Sequence, residues 1–399
     1  MFDLEAIQTA LREFGWDGWF LYDFRGSNVL AGRVLKLDPS QMGSRRWAYC
    51  IPANGEPKKL THRIESDALD HLPGGNTIYL SWQEFESGIA HLLDGMQKVA
   101  VEYSERGGNP YVSKIDAGTL ELVRECGVEP VSSGNLIQLF EAVLSPRQQE
   151  LHLGAAQVTD SAFTKAWQFI RDGVQNGGSV TEKAVEQVIM DHFAEHGMTT
   201  YHPPIVGVDS HSGLPHYETG SGADTNIREG SFVLVDLWCK HDDPDGIYSD
   251  LTRTGYVGTE VPQKYTDVFN IVAAARDAAV ECVRSAFAKG EELPGWKVDA
   301  ACRKVIDDAG YGHAFGHRTG HNIGREVHGN GAHMDNLETR EDRSVMRNTL
   351  FSIEPGIYLP EFGIRSEINV LIENDGTVRV TGGIGNAEPQ SAVIPILKM

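Results

Sequence analysis

The stretch FVLVDLWCKHDDPDGIYSDLTRTGYVG, residues 232–258, decides how the rest of the chain is read. It opens with an apolar run, 232–237, that carries one acid, Asp236, in its middle. The turn residues Asp243, Pro244, Asp245 and Gly246 follow, and then a second run, YSDLTRTGYV, holds Asp250. Val, Leu, Tyr and Thr on either side of a turn predict two paired strands. A carboxylate in an apolar strand is costly to bury without a compensating charge, and two on adjacent strands repel each other. Either Arg253 or Lys240 neutralises them, or a cation from outside the chain does; the stretch alone leaves both readings open.

Four other stretches put polar groups where a buried strand would not ordinarily tolerate them. GHRTGHNIGREVHGNG (316–331) supplies His317, His321 and His328 in a glycine-rich setting, and GLPHYETG (213–220) supplies His216. FSIEPGIYLP (351–360) carries Glu354, and FGIRSEINVLIE (362–373) carries Glu367 in a strand-like run with Arg365 two residues earlier, on the same face. Taken singly, each has a plain explanation: a solvated histidine, a turn acid, half of an ion pair. Taken together, they leave more buried negative charge than Arg253 and Arg365 can offset. Two divalent cations held by Asp236, Asp250, His321, Glu354 and Glu367 would resolve the excess. A carboxylate-dominated set with one imidazole suits Mn²⁺, Fe²⁺, Co²⁺ or Zn²⁺, and paired metals about 3.5–4 Å apart are a recurrent device for hydrolysis.

Size and composition bound the rest. At 399 residues, two domains are expected. A formal net charge of −21 argues against nucleic acid or an anionic membrane surface as partner, since phosphate binding needs clustered Lys and Arg. No apolar stretch approaches the length of a spanning helix. The amphipathic, acidic start MFDLEAIQTALREFG does not read as a signal peptide. Five widely spaced cysteines without a CxxC pair predict reduced thiols, and the expected location is cytoplasmic.

In chain order, a helix over 4–15 precedes strand-like runs at 18–24, 46–53, 76–82, 99–104 and 128–133, with helical segments around 84–96 and 113–126. This alternation predicts a small α/β domain over 1–145, without a glycine-rich phosphate loop and without chemistry of its own. Past Pro146 the pattern becomes long amphipathic helices, at 147–174, 181–196, 262–289 and 296–309, and after Arg347 it turns strand-like to the end. An α+β catalytic domain with an antiparallel sheet is therefore expected over 146–399.

The order HY…D…D-x-TRT…H-x-x-G-x-x-x-H…EPG-x-Y…GIR-x-E resembles the M24 metallopeptidases: Xaa-Pro aminopeptidases, prolidases and methionine aminopeptidases. The likeness covers roughly residues 146–399 and implies their pita-bread fold; the preceding domain looks like that of the creatinase/prolidase branch. It implies that Asp236 chelates one metal, that Asp250 and Glu367 bridge both, and that His321 and Glu354 hold the second, with Glu354 also the general base. By the same likeness His216 and His328 contact substrate, His317 is a further active-site histidine, and Arg365 orients the Asp236 side. The activity implied is hydrolysis of N-terminal Xaa-Pro bonds in short peptides by two divalent ions, Mn²⁺ foremost, in a homodimer or tetramer.

Several departures bear on specificity. Asp236 is followed by Leu237-Trp238 where the family has D-x-G, and an insertion at 240–245 lengthens the spacing to Asp250. His328 is followed by Gly329 rather than Asp, and a charged insertion, DNLETREDRS, occupies 335–344. These changes put proline specificity in doubt, which opens a non-prolyl aminopeptidase, and those at Leu237-Trp238 and Gly329 motivate a lyase acting on a small sulfonium compound such as dimethylsulfoniopropionate. A non-enzymatic scaffold on the same fold is the third alternative, against which stands that no ligand position is lost.

Overall fold

The computed structural model describes residues 2–40, 43–178, 180–222, 224–383 and 388–399. Its chain divides into two compact units, Met1–Glu141 and Ala142–Met399.

The first unit is a six-stranded mixed sheet between helices. Helix α1 (Leu4–Phe14) leads into β1 (Gly18–Phe24), α2 (Val29–Val34), β2 (Arg46–Pro52), β3 (Lys58–His62) and β4 (Gly75–Tyr79). Then come α3 (Trp82–Leu93), β5 (Lys98–Val101), α4 (Ala117–Glu125), β6 (Glu129–Ser132) and α5 (Gly134–Glu141). The strand order is β4-β3-β2-β1-β5-β6. Strand β1 is buried over all but its last residue, so it reads as an unbroken apolar run rather than an alternating one. The acid Glu102, at the end of β5, is buried and accepts from the Trp19 indole and the Asn28 amide, so its burden is structural.

The second unit opens with the 30-residue helix α6 (Pro146–Gln175). Ser145 and Gln148 form a reciprocal capping box there and Pro146 takes the first turn, where its missing N–H costs nothing. The short β7 (Val180–Thr181) precedes α7 (Glu182–Glu195), followed by β8 (Met198–Thr199), β9 (Ile205–Val208) and β10 (Asn226–Ile227). The pair predicted from 232–258 forms as β11 (Phe232–His241) and β12 (Ser249–Tyr256), antiparallel, with Asp236 opposite Thr252 and Trp238 opposite Asp250. Helices α8 (Gln263–Lys289) and α9 (Gly295–Asp308) come next, then β13 (Asn322–Ile323), β14 (Leu350–Ile353), β15 (Gly356–Tyr358), β16 (Gly363–Arg365), β17 (Ile368–Ile372), β18 (Val378–Thr381) and β19 (Ile394–Pro395). One sheet is ordered β19-β12-β11-β8, with β9 also on β11; a second is ordered β13-β14-β17-β18, and β15 pairs with β16.

Two expectations need correcting. Glu367 does not lie in a strand alternating with Arg365: β16 ends at Arg365 and β17 begins at Ile368. The reason is a backbone step, in which the Glu367 amide donates to Thr252 of β12 at 3.2 Å and the Ser366 amide to Pro355 at 3.3 Å. Nor do Arg253 and Lys240 neutralise the strand acids. Arg253 lies opposite Val235, on the other face of the pair, where it bonds Asp160 of α6 at 2.7 Å and stacks on Phe163. Lys240 donates to the Arg325 carbonyl.

Candidate metal centre

Side chains opposite one another in an antiparallel pair share a face, so Asp236, Trp238, Asp250 and Thr252 all project from the same side of β11–β12. One tie of the second sheet to that side is a side-chain amide. Asn369 of β17 accepts from the Asp250 N–H at 3.0 Å and donates to the Asp250 carbonyl at 2.6 Å. The Glu367 step brings its carboxylate against the same face, where Thr252 Oγ1 donates to it at 2.8 Å. His321 arrives from the loop before β13, its amide bonded to Ser352 Oγ on β14, and the same hydroxyl donates to Glu354 Oε1.

The donor atoms of Asp250, His321 and Glu367 thus lie within 4.8 Å of one another. His321 Nε2 is 3.2 Å from Glu354 and 3.4 Å from Asp250. Asp236 joins through Arg365, whose guanidinium bonds its carboxylate, Thr252 Oγ1, Tyr358 Oη and the Pro215 carbonyl. His317 Nε2 stands 2.7 Å from Tyr358 Oη, and its Nδ1 2.7 Å from the Arg318 carbonyl. Tyr358 accepts from Arg365 and so donates to His317, which fixes the Nδ1–H tautomer. The His328 ring meets that of His321 edge-on at 4.3 Å. His216 is exposed, next to the Pro215 carbonyl held by Arg365, and is near enough to interact with both His317 and His328.

The electrostatics are those of a crowded acid cluster. Burial, with Asp250 and Glu354 adding to it against Arg365, pushes Asp236 up to about 7. Burial likewise raises Asp250, and it raises Glu367 well above the carboxylate range, helped by the charges of Asp250, Glu354 and Asp236. Glu354 goes the other way: burial opposes its charge, but His321, His317 and Arg365 hold it below its ordinary value. Burial also opposes charge on His321, yet its contacts with Asp250 and Glu354 raise it to about 9. His321's charge and burial drive His328 down to about 3, and burial takes His317 to about 4. The decisive feature is that Asp236 Oδ1 and Glu367 Oε1 are both buried without a hydrogen-bond partner. Oxygens of that kind fit a divalent cation and are costly without one.

The structure therefore gathers all nine residues singled out from the sequence into one neighbourhood. Three that sequence reasoning passed over complete it: Thr252, Tyr358 and Asn369. The first two stand in the motif stretches D-x-TRT and EPG-x-Y, but a hydroxyl in a strand is too ordinary to stand out. Asn369 had no such signal, because its role exists only between sheets.

The departures also find physical reasons. A Cβ at Gly329 would meet Asn322 Oδ1 at 2.2 Å, so the space after His328 is already filled by an amide that caps Gly331 and Leu350. The insertion at 240–245 is pinned by Arg147 to Asp243 and Arg325 to Asp245. That at 335–344 folds around buried Asp335, Glu341 and Arg343; Asp335 accepts three backbone amides and Arg343 bonds Glu341. Trp238 packs with Tyr201, whose ring also meets Tyr248, and with His202, making an aromatic wall beside Asp236 and Asp250.

A clustered carboxylate–imidazole site at the seam of two sheets, in a mixed α/β fold, defines the class as a protein built to hold divalent metal. Residues 150–374 match the sequence profile of metallopeptidase family M24, and the chain belongs to that family. It is 27% identical over 361 residues to a Mycobacterium tuberculosis protein named Probable dipeptidase PepE, covering 88% of this chain and 86% of that one. It is 32% identical over 225 residues to an Xaa-Pro dipeptidase of Lactobacillus delbrueckii subsp. lactis, covering 56% and 55%. Among solved structures, dipeptidase PepE of Mycobacterium ulcerans superposes with a TM-score of 0.66 at 23% identity, over 98% of this chain and 96% of that one. The prolidase of Pyrococcus horikoshii gives 0.57 at 20% identity, over 98% and 99%. These likenesses show the fold, a pita-bread unit preceded by an N-terminal domain. No helix among the described residues is long and apolar enough to cross a membrane.

Proposed function

We propose that this chain is a dipeptidase or aminopeptidase that hydrolyses N-terminal Xaa-Pro bonds of short peptides, using two divalent ions held by Asp236, Asp250, His321, Glu354 and Glu367. The observation that carries it is the pair of orphaned buried oxygens, Asp236 Oδ1 and Glu367 Oε1, the second in one cluster with His321 and Asp250 and the first on a carboxylate that feels the charges of Asp250 and Glu354. Bound there, the ions would polarise the scissile carbonyl and make a water acidic enough to attack near neutral pH. Mn²⁺ is the first choice, with Co²⁺, Zn²⁺ and Fe²⁺ compatible with the donor set.

The remaining chemistry belongs to the protein. Glu354, held ionised by His321 and Arg365, takes the proton of the attacking water and delivers it to the departing nitrogen. His328 and His317 are neutral at pH 7, and His328 sits beside His321 and can donate an N–H to the oxygen that gains charge. His216, on the loop tied to Arg365 through Pro215, closes the side that receives the substrate. The relatives named as Xaa-Pro dipeptidases support proline as the second residue.

Purified protein loaded with Mn²⁺ or Co²⁺ should cleave Xaa-Pro dipeptides or tripeptides, and Asp250→Asn or Glu367→Gln should abolish turnover. Metal-loaded protein that cleaves no member of an Xaa-Pro panel would end the proline reading. The aromatic wall favours a second reading in which a small sulfonium compound is the substrate, since ring faces attract onium cations. Release of a volatile sulfide from dimethylsulfoniopropionate would select it.

A further inference from the structure

The last turn of α7 carries His192, Glu195 and His196, in the order His-x-x-Glu-His, and none of them belongs to the cluster described above. Residues three and four apart on a helix project from one side, so the three side chains meet. One donor atom from each lies within 4.8 Å of the other two, and the imidazole centroids are 4.2 Å apart. We propose that His192, Glu195 and His196 form a second cation site, which takes a borderline divalent ion such as Zn²⁺ through two imidazoles and one carboxylate.

The hydrogen bonds around the rings set their lone pairs for this. Ser161 of α6 spends its hydroxyl proton on the Val158 carbonyl at 3.0 Å, so its oxygen accepts from His192 Nε2, 2.7 Å away. His192 is then protonated at Nε2, and its lone pair sits on Nδ1. That Nδ1 is buried and has no hydrogen-bond partner, in a residue only 5% exposed. His196 Nδ1 donates to the His192 carbonyl at 2.8 Å, which leaves the His196 Nε2 lone pair free. Both imidazoles therefore have the outer hydrogen bond that metal-binding histidines ordinarily carry. Burial, with His196 and Lys165 adding to it, lowers the His192 pKa, so the ring is a neutral ligand at pH 7.

Position and access agree. The site lies at the C-terminal end of α7, the negative end of the helix dipole, which favours a cation. Glu195 and His196 are exposed, so water can complete the coordination. Donors on a tetrahedral zinc stand about 3.4 Å apart, and rotation of these two exposed side chains closes the remaining distance. Lys165 of α6 is the opposing charge, and the Glu195 carboxylate offsets it. An ion here would join α7 to α6 through the His192–Ser161 bond.

The test is equilibrium dialysis of the full-length, Mn²⁺-loaded protein against micromolar Zn²⁺ at pH 7.5, with metal counted by mass spectrometry. The wild type should hold one more zinc per chain than His196→Ala, and Glu195→Gln should bind that zinc about tenfold more weakly. Zn²⁺ should raise the melting temperature of the wild type by more than that of His196→Ala. Without zinc the two proteins should melt together and show equal peptidase activity. Equal zinc counts, or an equal zinc-induced shift, would overturn the proposal. Because wild type and variant share the same carboxylate cluster, zinc exchange there cancels in the comparison.

Discussion

Arg365 bonds Asp236, Thr252, Tyr358 and the Pro215 carbonyl, so one guanidinium holds a proposed ligand, the hydroxyl that holds Glu367, the partner of His317, and the loop of His216. Five N–H donors in a fixed fork allow this, and the three of a lysine ammonium do not. Arg365→Lys should therefore lower kcat/KM by about 10–100-fold. Thr252→Val, which removes only the hydroxyl between Arg365 and Glu367, should weaken metal affinity by about the same factor. Metal titration with steady-state kinetics checks both; an Arg365→Lys enzyme with full rate would remove the positioning role. At this scale the sequence showed charge and concealed neutrality. Asp236, Asp250, Glu354 and Glu367 stand out because acids in apolar runs are expensive, whereas Thr252, Tyr358 and Asn369 act through contacts that sequence distance hides.

Between elements, the face on which a residue lies mattered more than its nearness in sequence. Arg253 is three residues from Asp250, yet the register of β11–β12 turns it to α6, where Asp160 receives it. Asp160→Asn should leave a buried guanidinium short of a counter-charge and cost about 3 kcal/mol of stability. Metal content and kcat/KM should stay unchanged in that variant; a loss of bound metal in dialysis would show that Arg253 serves the acids after all. The long helices and the β11–β12 pair were legible because their periodicity runs for many residues. Short elements such as α2, β3 and α5 were not, since few residues carry too little pattern. The Glu367 step was hidden for another reason: the stretch 363–372, with Ile364, Ile368, Val370, Leu371 and Ile372, reads as one strand, and the break is imposed by a bond to a different sheet.

For the whole molecule, the acid cluster makes stability depend on pH and metal together. Asp236 is raised to about 7, and Asp250 and Glu367 are raised too, so these acids bind more protons in the folded, metal-free protein than in the unfolded chain, while His152, His317 and His328, lowered by burial and by His321's charge, bind fewer below pH 6.5. Above pH 7 those histidines are neutral in both states, and His321, raised to about 9, keeps its proton in the folded protein alone. Stability of the chelated protein should then fall as pH rises from 7 to 9. Metal requires deprotonated ligands, so the rise in melting temperature on adding Mn²⁺ should grow over the same range. Thermal melts with and without chelator check this; a chelated protein that becomes more stable from pH 7 toward 9 would contradict the cluster's role. The two-part organisation, α/β before α+β, was visible in the alternation of elements, while the seam between two sheets was not, because it depends on pairing across more than a hundred residues.

That seam is narrow: the Asn369 amide, the Thr252–Glu367 contact and one backbone bond join β12 to β17 and the step before it. Any ion seated among Asp250, His321 and Glu367 would be a fourth tie, drawing on both halves at once. Its departure should let the sheets breathe separately, so that amide protons of β12 and β17 exchange with deuterium sooner than those of β1 or β2, whose pairing owes nothing to metal.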